Sequence, residues 1–349
     1  MRATVLHGIE DLRVETREER PLAEGEVRVR VEAGGICGSD LHYFHHARMG
    51  DFPVREPFVL GHEAAGRIAE IGPGVEAEFG GLAVGDPVAI NPSHPCGACH
   101  YCRTGRENLC ADMIFLGSSR RFPHVQGLFA ETYVAPARQC VPVPAGTDPG
   151  VAALAEPLSV CLHAASHAGP LLGRRVLVTG AGPIGALCLT VARLGGAVET
   201  VITDVMDEPL KAAEALGASQ AINVAAAPDG LTDPAHPRGR FDVAFECSGN
   251  PHAMRSCLDA LAPGGTLVQV GTYADPKVTI PADFVMVKEL TLKSSFRFAR
   301  EFPTAVALLA SGRIDTGPLL SHSFAMEEAM QAFRTAADRR QAMKVQIRF

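Results

Sequence analysis

Four cysteines fall within one short stretch, "CGACHYCRTGRENLC": Cys96, Cys99, Cys102 and Cys110. Thiolates so closely spaced can surround a tetrahedral zinc and leave no coordination position open, which stiffens a lobe without catalysing anything. His94 and His100 lie beside them and read as surface residues. A second stretch, "GGICGSDLHYF", gathers Cys37, Ser39, Asp40 and His42 at what reads as a turn ending a strand. Taken singly, Cys37 fits a buried thiol, a disulfide half or a metal ligand, and His42 fits a surface histidine. His62 and Glu63 in "VLGHEAAGRIAEIG" and Glu156 in "ALAEPLSV" carry similar ligating chemistry, although Glu63 equally fits pairing with an arginine. Spacing alone does not assemble these dispersed groups.

A third chemistry lies in "VLVTGAGPIG", where Gly180, Gly182 and Gly185 have G-x-G-x-x-G spacing, with Pro183 and Ile184 between the last two. The run follows a strand, opens a helix and is trailed by Asp204 at the end of the next strand, which is the context a dinucleotide fingerprint requires. The glycines let the backbone approach a pyrophosphate seated on the helix N-terminus. Asp204 is placed to accept hydrogen bonds from the adenosine ribose. Asp207 and Glu208 follow, with no base before Lys211. A 2′-phosphate there meets like charge, so NAD is favoured over NADP.

The elements that must position these groups have two textures. Residues 1–150 read as short strands between proline and glycine turns ("EVRVRVEA", "GRIAEIG", "DPVAI", "AETYVAP", "CVPVPA"), a β-rich unit. From residue 151 the pattern becomes Ala- and Leu-rich, starting with "VAALAEPLSVCLHAA". "RVLVT", "AVETVIT", "FDVAFEC" and "GTLVQVG" then alternate with the helical runs "PIGALCLTVARLG" and "LKAAEALGA". Such alternation predicts a doubly wound parallel sheet with helices on both faces. Residues 296–349 return to helix and loop and end in the strand-like "KVQIRF", a tail suited to packing back onto the first domain.

A chain of 349 residues suits two domains, and 47% hydrophobic with 20% charged residues suits an ordinary soluble protein. A net charge of −7 argues against nucleic acid or an anionic membrane surface as partner. No uninterrupted apolar run reaches about 18 residues, and the opening "MRATVLHGIEDLRVE" does not read as a signal peptide. A cytoplasmic location is therefore expected, where the ten cysteines are thiols and metal ligands rather than disulfides.

"GHE" followed by Gly66, Gly72 and Val75, together with "GGICGSD", the four-cysteine lobe and "GAGPIG", resembles the zinc-dependent medium-chain alcohol and polyol dehydrogenase superfamily. The likeness covers essentially the whole chain, in the family's order; Pro87 in "GDPV" departs from it, standing for the usual arginine in a structural turn. It implies an α/β chain with a GroES-like catalytic domain at 1–150 that carries a structural zinc lobe. A Rossmann NAD-binding domain would follow at 151–295, with a segment at 296–349 returning to the first domain.

The same resemblance implies that Cys37, His62 and Glu63 hold a catalytic zinc. Glu156, where classical members have a cysteine, marks the polyol branch and binds that metal directly or through its water. Zinc would acidify the substrate alcohol. Its proton would leave through Ser39 and then His42, whose ordinary pKa is about 6.5, while hydride passes to the nicotinamide. Val270, Gly271, Thr272 and Phe296 are expected to join the glycine turn and Asp204 in holding the cofactor. Two zinc ions, NAD and a homodimer or homotetramer complete the implied picture.

Further segments, "FLGSSRRFPHVQGLF" and "SFRFAREFPTAVALLASGRI" among them, resemble the bacterial L-idonate 5-dehydrogenase family, which implies oxidation of a sugar acid at a secondary alcohol. Tyr43 and Arg297 match substrate-side positions of the polyol branch, and Arg120, Arg121 and His124 lie in a segment able to reach the same cleft. An aldonate carboxylate needs a cation, since one charge-assisted hydrogen bond is worth about 1.5–3 kcal/mol. Solvation or a subunit contact is the other reading of Arg120 and Arg121. Phe298 stands where sorbitol dehydrogenases often have tyrosine. The rivals are a sorbitol or xylitol dehydrogenase and a non-catalytic nucleotide-binding relative; the latter would be expected to have lost some of Cys37, Ser39, His42, His62, Glu63 and Glu156, all of which are present.

Overall fold

In the strand Glu26–Gly35, Val27, Val29 and Val31 turn into the core while Arg28 and Arg30 turn outward. That alternation places one face of a sheet against apolar packing and leaves the other wet. In the computed structural model, which describes residues 1–75, 81–275 and 277–349, this strand is the hub of a seven-stranded sheet. Its path runs Cys140–Pro142, Pro87–Ile90, Glu63–Ile71, Glu26–Gly35, Lys344–Arg348 and Leu320–Ala325, and Thr132–Pro136 also pairs with the hub. Register matters here. Gly35 lies opposite Glu63 on one side and Gln346 on the other, so three segments far apart in sequence meet where the hub strand ends.

The second texture becomes a six-stranded, all-parallel sheet. Its order is Gln220–Asn223, Glu199–Asp204, Arg175–Thr179, Phe241–Glu246, Leu261–Gln269 and Thr291–Ser294. Chain order reverses between Arg175–Thr179 and Phe241–Glu246, the switch point at which such sheets bind nucleotides beyond their carboxyl ends. The two outermost strands have no counterpart in the sequence reading. Thr291–Ser294 is exposed at every residue and Gln220–Asn223 spans only four, so neither presents an apolar run.

The chain divides into two compact units: Met1–Glu156 with Phe302–Phe349, and Pro157–Glu301. The first contains the seven-stranded sheet and its C-terminal strand; the second contains the parallel sheet. Among the described residues no helix is long and apolar enough to cross a membrane.

Candidate active site

Cys37 ends the turn after Glu26–Gly35 and caps the helix Gly38–His46. Asp40, in the first turn of that helix, reaches back so that its Oδ2 accepts the Cys37 N–H at 3.0 Å, while its Oδ1 accepts the Gly61 N–H at 3.2 Å. The carboxylate is fully buried, and burial raises its pKa, partly countered by His62. It ties the Cys37 turn to the "GHE" segment, and the same Oδ1 stands 3.7 Å from His62 Nδ1. The other ring nitrogen, Nε2, lies 3.4 Å from Ser39 Oγ. A carboxylate behind a histidine fixes the ring and leaves its second nitrogen free to ligate. Asp40 is thus a site residue whose role the sequence left open; its three-residue spacing from Cys37 was the available signal.

Ligand atoms of Cys37, His62 and Glu63 all lie within 4.8 Å of one another. Thiolate, imidazole and carboxylate form the mixed donor set that zinc accepts. Burial disfavours a proton on His62, yet Asp40 and then Cys37 outweigh it and hold the imidazole's pKa well above its usual value. Anionic partners around His62 make this a pocket that suits a cation. Glu156 is also buried, and its charge acts on His62, but it stands outside the 4.8 Å trio. Glu63 does pair with a cation: not an arginine but Lys344, from the last strand.

In the cysteine lobe, the sulfurs of Cys99 and Cys102 are 3.5 Å apart, and those of Cys96 and Cys102 and of Cys99 and Cys110 are 4.0 Å apart. A tetrahedron with zinc–sulfur bonds of about 2.3 Å requires edges of about 3.8 Å; a disulfide would require about 2 Å. Backbone N–H groups point at the sulfurs, from Cys99 to Cys96 and from Cys96 and Asp112 to Cys110. Such bonds, led by the Cys102 and Ala111 amides, bring the Cys99 thiol down to about 6. Neither His94 nor His100 belongs to the group.

His42 is half-buried on the helix after Cys37. Burial, then His46 and His45, hold its pKa below the ordinary histidine value, so the ring is neutral and ready to accept a proton at pH 7. Tyr43 is buried, packs edge-on to Phe58, and its hydroxyl accepts the Ser119 N–H at 3.1 Å. Arg120 lies over the Phe52 ring and Arg121 is paired with Asp112. His124 is buried with both ring nitrogens engaged: Nε2 accepts the Arg55 N–H, and Nδ1 meets the Arg121 carbonyl. That fixes a neutral tautomer with the proton on Nδ1.

In the second unit, Gly180 adopts a φ of +87°, and a Cβ on Gly185 would lie 1.7 Å from the Gly180 carbonyl oxygen, so both must be glycine. Gly182 caps the helix Pro183–Leu194 with open space around its Cα. Asp204 accepts N–H bonds from Ala181, Val205 and Met206, so the acidic residue also locks the glycine turn to its own strand. Glu246, which ends a strand and carries no local sign of a role in the sequence, is fully buried. Its carboxylate gathers the Ser248 and Gly249 amides and the Tyr273 hydroxyl, and its carbonyl the Val270 and Gly271 amides. It thereby shapes the loop that carries Val270, Gly271 and Thr272. Phe296 is half-exposed beneath the Arg297 guanidinium, Arg297 has a φ of +57°, and Phe298 is buried.

Residues 23–145 match the family of the alcohol dehydrogenase GroES-like domain, and residues 183–311 match that of the zinc-binding dehydrogenases. L-idonate 5-dehydrogenase (NAD(P)(+)) of Escherichia coli K12 is 42% identical over 92% of this chain and 91% of its own length. Sorbitol dehydrogenase of Gallus gallus is 37% identical over 99% and 96%. The crystal structure of L-idonate 5-dehydrogenase from Escherichia coli superposes with a TM-score of 0.92 at 40% identity, covering 100% of this chain and 98% of that one. This chain is an oxidoreductase that belongs to the zinc-dependent medium-chain alcohol and polyol dehydrogenase family.

Proposed function

We propose that the protein oxidises a secondary alcohol of a sugar acid with NAD, L-idonate to 5-dehydro-D-gluconate being the leading substrate pair. The observation that carries the reading is the trio of half-buried Cys37 and buried His62 and Glu63, with Ser39 Oγ 3.4 Å from His62, in a chain 42% identical to an L-idonate 5-dehydrogenase. Cys37, His62 and Glu63 hold one zinc, and Cys96, Cys99, Cys102 and Cys110 a second. When bound, the first zinc supplies Lewis acidity toward the substrate hydroxyl, and the dinucleotide supplies the hydride acceptor. Ser39 receives the hydroxyl proton, and neutral His42, held below the ordinary histidine pKa, carries it toward solvent. Glu156, whose charge acts on His62, binds that zinc directly or through its water. Asp204, with Asp207 and Glu208 following, favours NAD over a 2′-phosphorylated cofactor.

The chain acts as a homo-oligomer. Its edge strand Thr291–Ser294 is exposed throughout, Leu292 included, and Met286 and Val287 shortly before it are uncovered as well. The ten cysteines, none of them in a disulfide, accord with the cytoplasm. A neutral polyol is the second reading, favoured by the occupied states of Arg120 and Arg121. Initial rates with NAD and NADP on L-idonate, sorbitol, xylitol and D-gluconate, before and after zinc chelation, test the whole. Fastest turnover of L-idonate with NAD is expected; faster sorbitol turnover would transfer the assignment to the polyol reading. Activity surviving complete zinc removal would end both.

A further inference from the structure

The last strand brings a lysine to the metal trio across 281 residues of sequence. Lys344 Nζ lies 2.7 Å from Glu63 Oε1 and 2.6 Å from Oε2, and it also donates to the Ile36 carbonyl at 3.1 Å. Its side chain is 3% exposed and that of Glu63 is 1%. Ile36 precedes Cys37 and Glu63 follows His62, so one ammonium touches the residue beside each of the other two ligands. The Ile36 N–H donates to the Val345 carbonyl at 2.9 Å, which fixes the strand carrying Lys344 at that point. Backbone crowds the carboxylate too: a Cβ added at Gly35 would lie 2.2 Å from Glu63 Oε2. The carboxylate is boxed between this backbone, the ammonium and the ligand cluster.

We propose that Lys344 is a positioning residue that restrains Glu63, making it a weak and displaceable ligand of the Cys37–His62–Glu63 metal site. The inference rests on reading that trio as a metal site. A carboxylate offers about four lone-pair positions, so it can face an ammonium and a metal together. Each cation then lowers what the carboxylate can give the other. Glu63 and Lys344 cancel in charge, leaving Cys37 as the one uncompensated anion of the trio. A metal held this way keeps more of its charge for the substrate hydroxyl. Without the ammonium, Glu63 would be a buried carboxylate lacking its partner, a costly state. The metal is the cation left within reach. Glu63 should then bind it fully, gripping it harder while quenching its charge.

This gives Lys344 a signature that simple structural damage lacks: neutralising it should tighten the metal and slow the reaction. Zinc release to a chelator from the fully loaded enzyme would be followed together with kcat. Cys37→Ala identifies which release phase belongs to this site. A partner of a metal ligand changes affinity by about tenfold to a hundredfold; in Lys344→Met a change of that size should run toward tighter metal, so this release phase slows while kcat falls over a similar range. Lys344→Arg, which keeps the charge, should move both back toward wild type. Adding Glu63→Gln to Lys344→Met should abolish the tightening. Lys344→Gln is read in the same way where the Met variant does not fold. Release that is unchanged or faster in the neutral variants would overturn the role of Lys344. Cys37→Ala retaining the full zinc content would instead overturn the reading of the trio itself.

Discussion

Two clusters of residues able to ligate a metal lie in one unit, and they are built in opposite ways. The cysteine lobe uses four identical donors from a single stretch, with the sulfurs of Cys99–Cys102, Cys96–Cys102 and Cys99–Cys110 lying 3.5–4.0 Å apart and amides aimed at them. Four thiolates fill a tetrahedron, so the lobe has nothing left to offer a substrate. The second cluster uses three different donors, and its surroundings are more elaborate than its ligands: Asp40 behind His62, Lys344 against Glu63, Ser39 beside the ring. Three donors leave room for chemistry. Short-range chain closure produces saturation, whereas strand pairing produces an incomplete shell that needs outside support.

The contrast can be broken most severely at Cys37. Cys37→Ala should lose one zinc per chain by atomic emission and at least about a thousandfold in turnover, while dinucleotide fluorescence titrations stay unchanged. Retained turnover would mean that the incomplete cluster is not where the reaction occurs. Asp40→Asn tests the support rather than the ligand. It should weaken metal at the buried site by about tenfold to a hundredfold, read by chelator competition, and leave the lobe's zinc in place.

His42 gives a milder and pH-dependent test. In the proposed relay its neutral form accepts the proton, and its pKa lies below the ordinary histidine value. Rate should therefore hold as pH falls through about 6.5 and decline only below it, as the ring becomes charged. His42→Ala should cost at least about a hundredfold and be partly rescued by added imidazole. An acid limb centred above pH 6.5 would assign the relay elsewhere. The smallest effect on turnover is expected at the lobe. Cys99→Ser should release the second zinc and lower the melting temperature by several degrees, with kcat per folded molecule reduced less than about tenfold. A collapse of kcat in a protein that still melts cooperatively would erase the distinction between the clusters.

The two regions were also unequally legible. The lobe and the glycine turn could be read directly, because their partners lie within one loop or one strand–turn–helix unit. Cys37, His62 and Glu63 could be named only by resemblance. Asp40 was visible but without a task, and Glu246 and Lys344 were not visible as site residues at all. A buried glutamate in a strand and a lysine in "KVQIRF" carry no local sign of what they touch.

The sequence by itself determined the chemistry available: which residues can ligate, where a dinucleotide backbone cradle forms, and that a parallel α/β sheet follows a β-rich unit. Tertiary structure alone decided the assembly. Register sets Gly35 opposite both Glu63 and Gln346, and a slip of one residue would turn every one of these side chains to the other face. No local pattern encodes that register, since it comes from burying apolar faces of strands hundreds of residues apart. Lys344 therefore reaches Glu63 only once the whole sheet is in place.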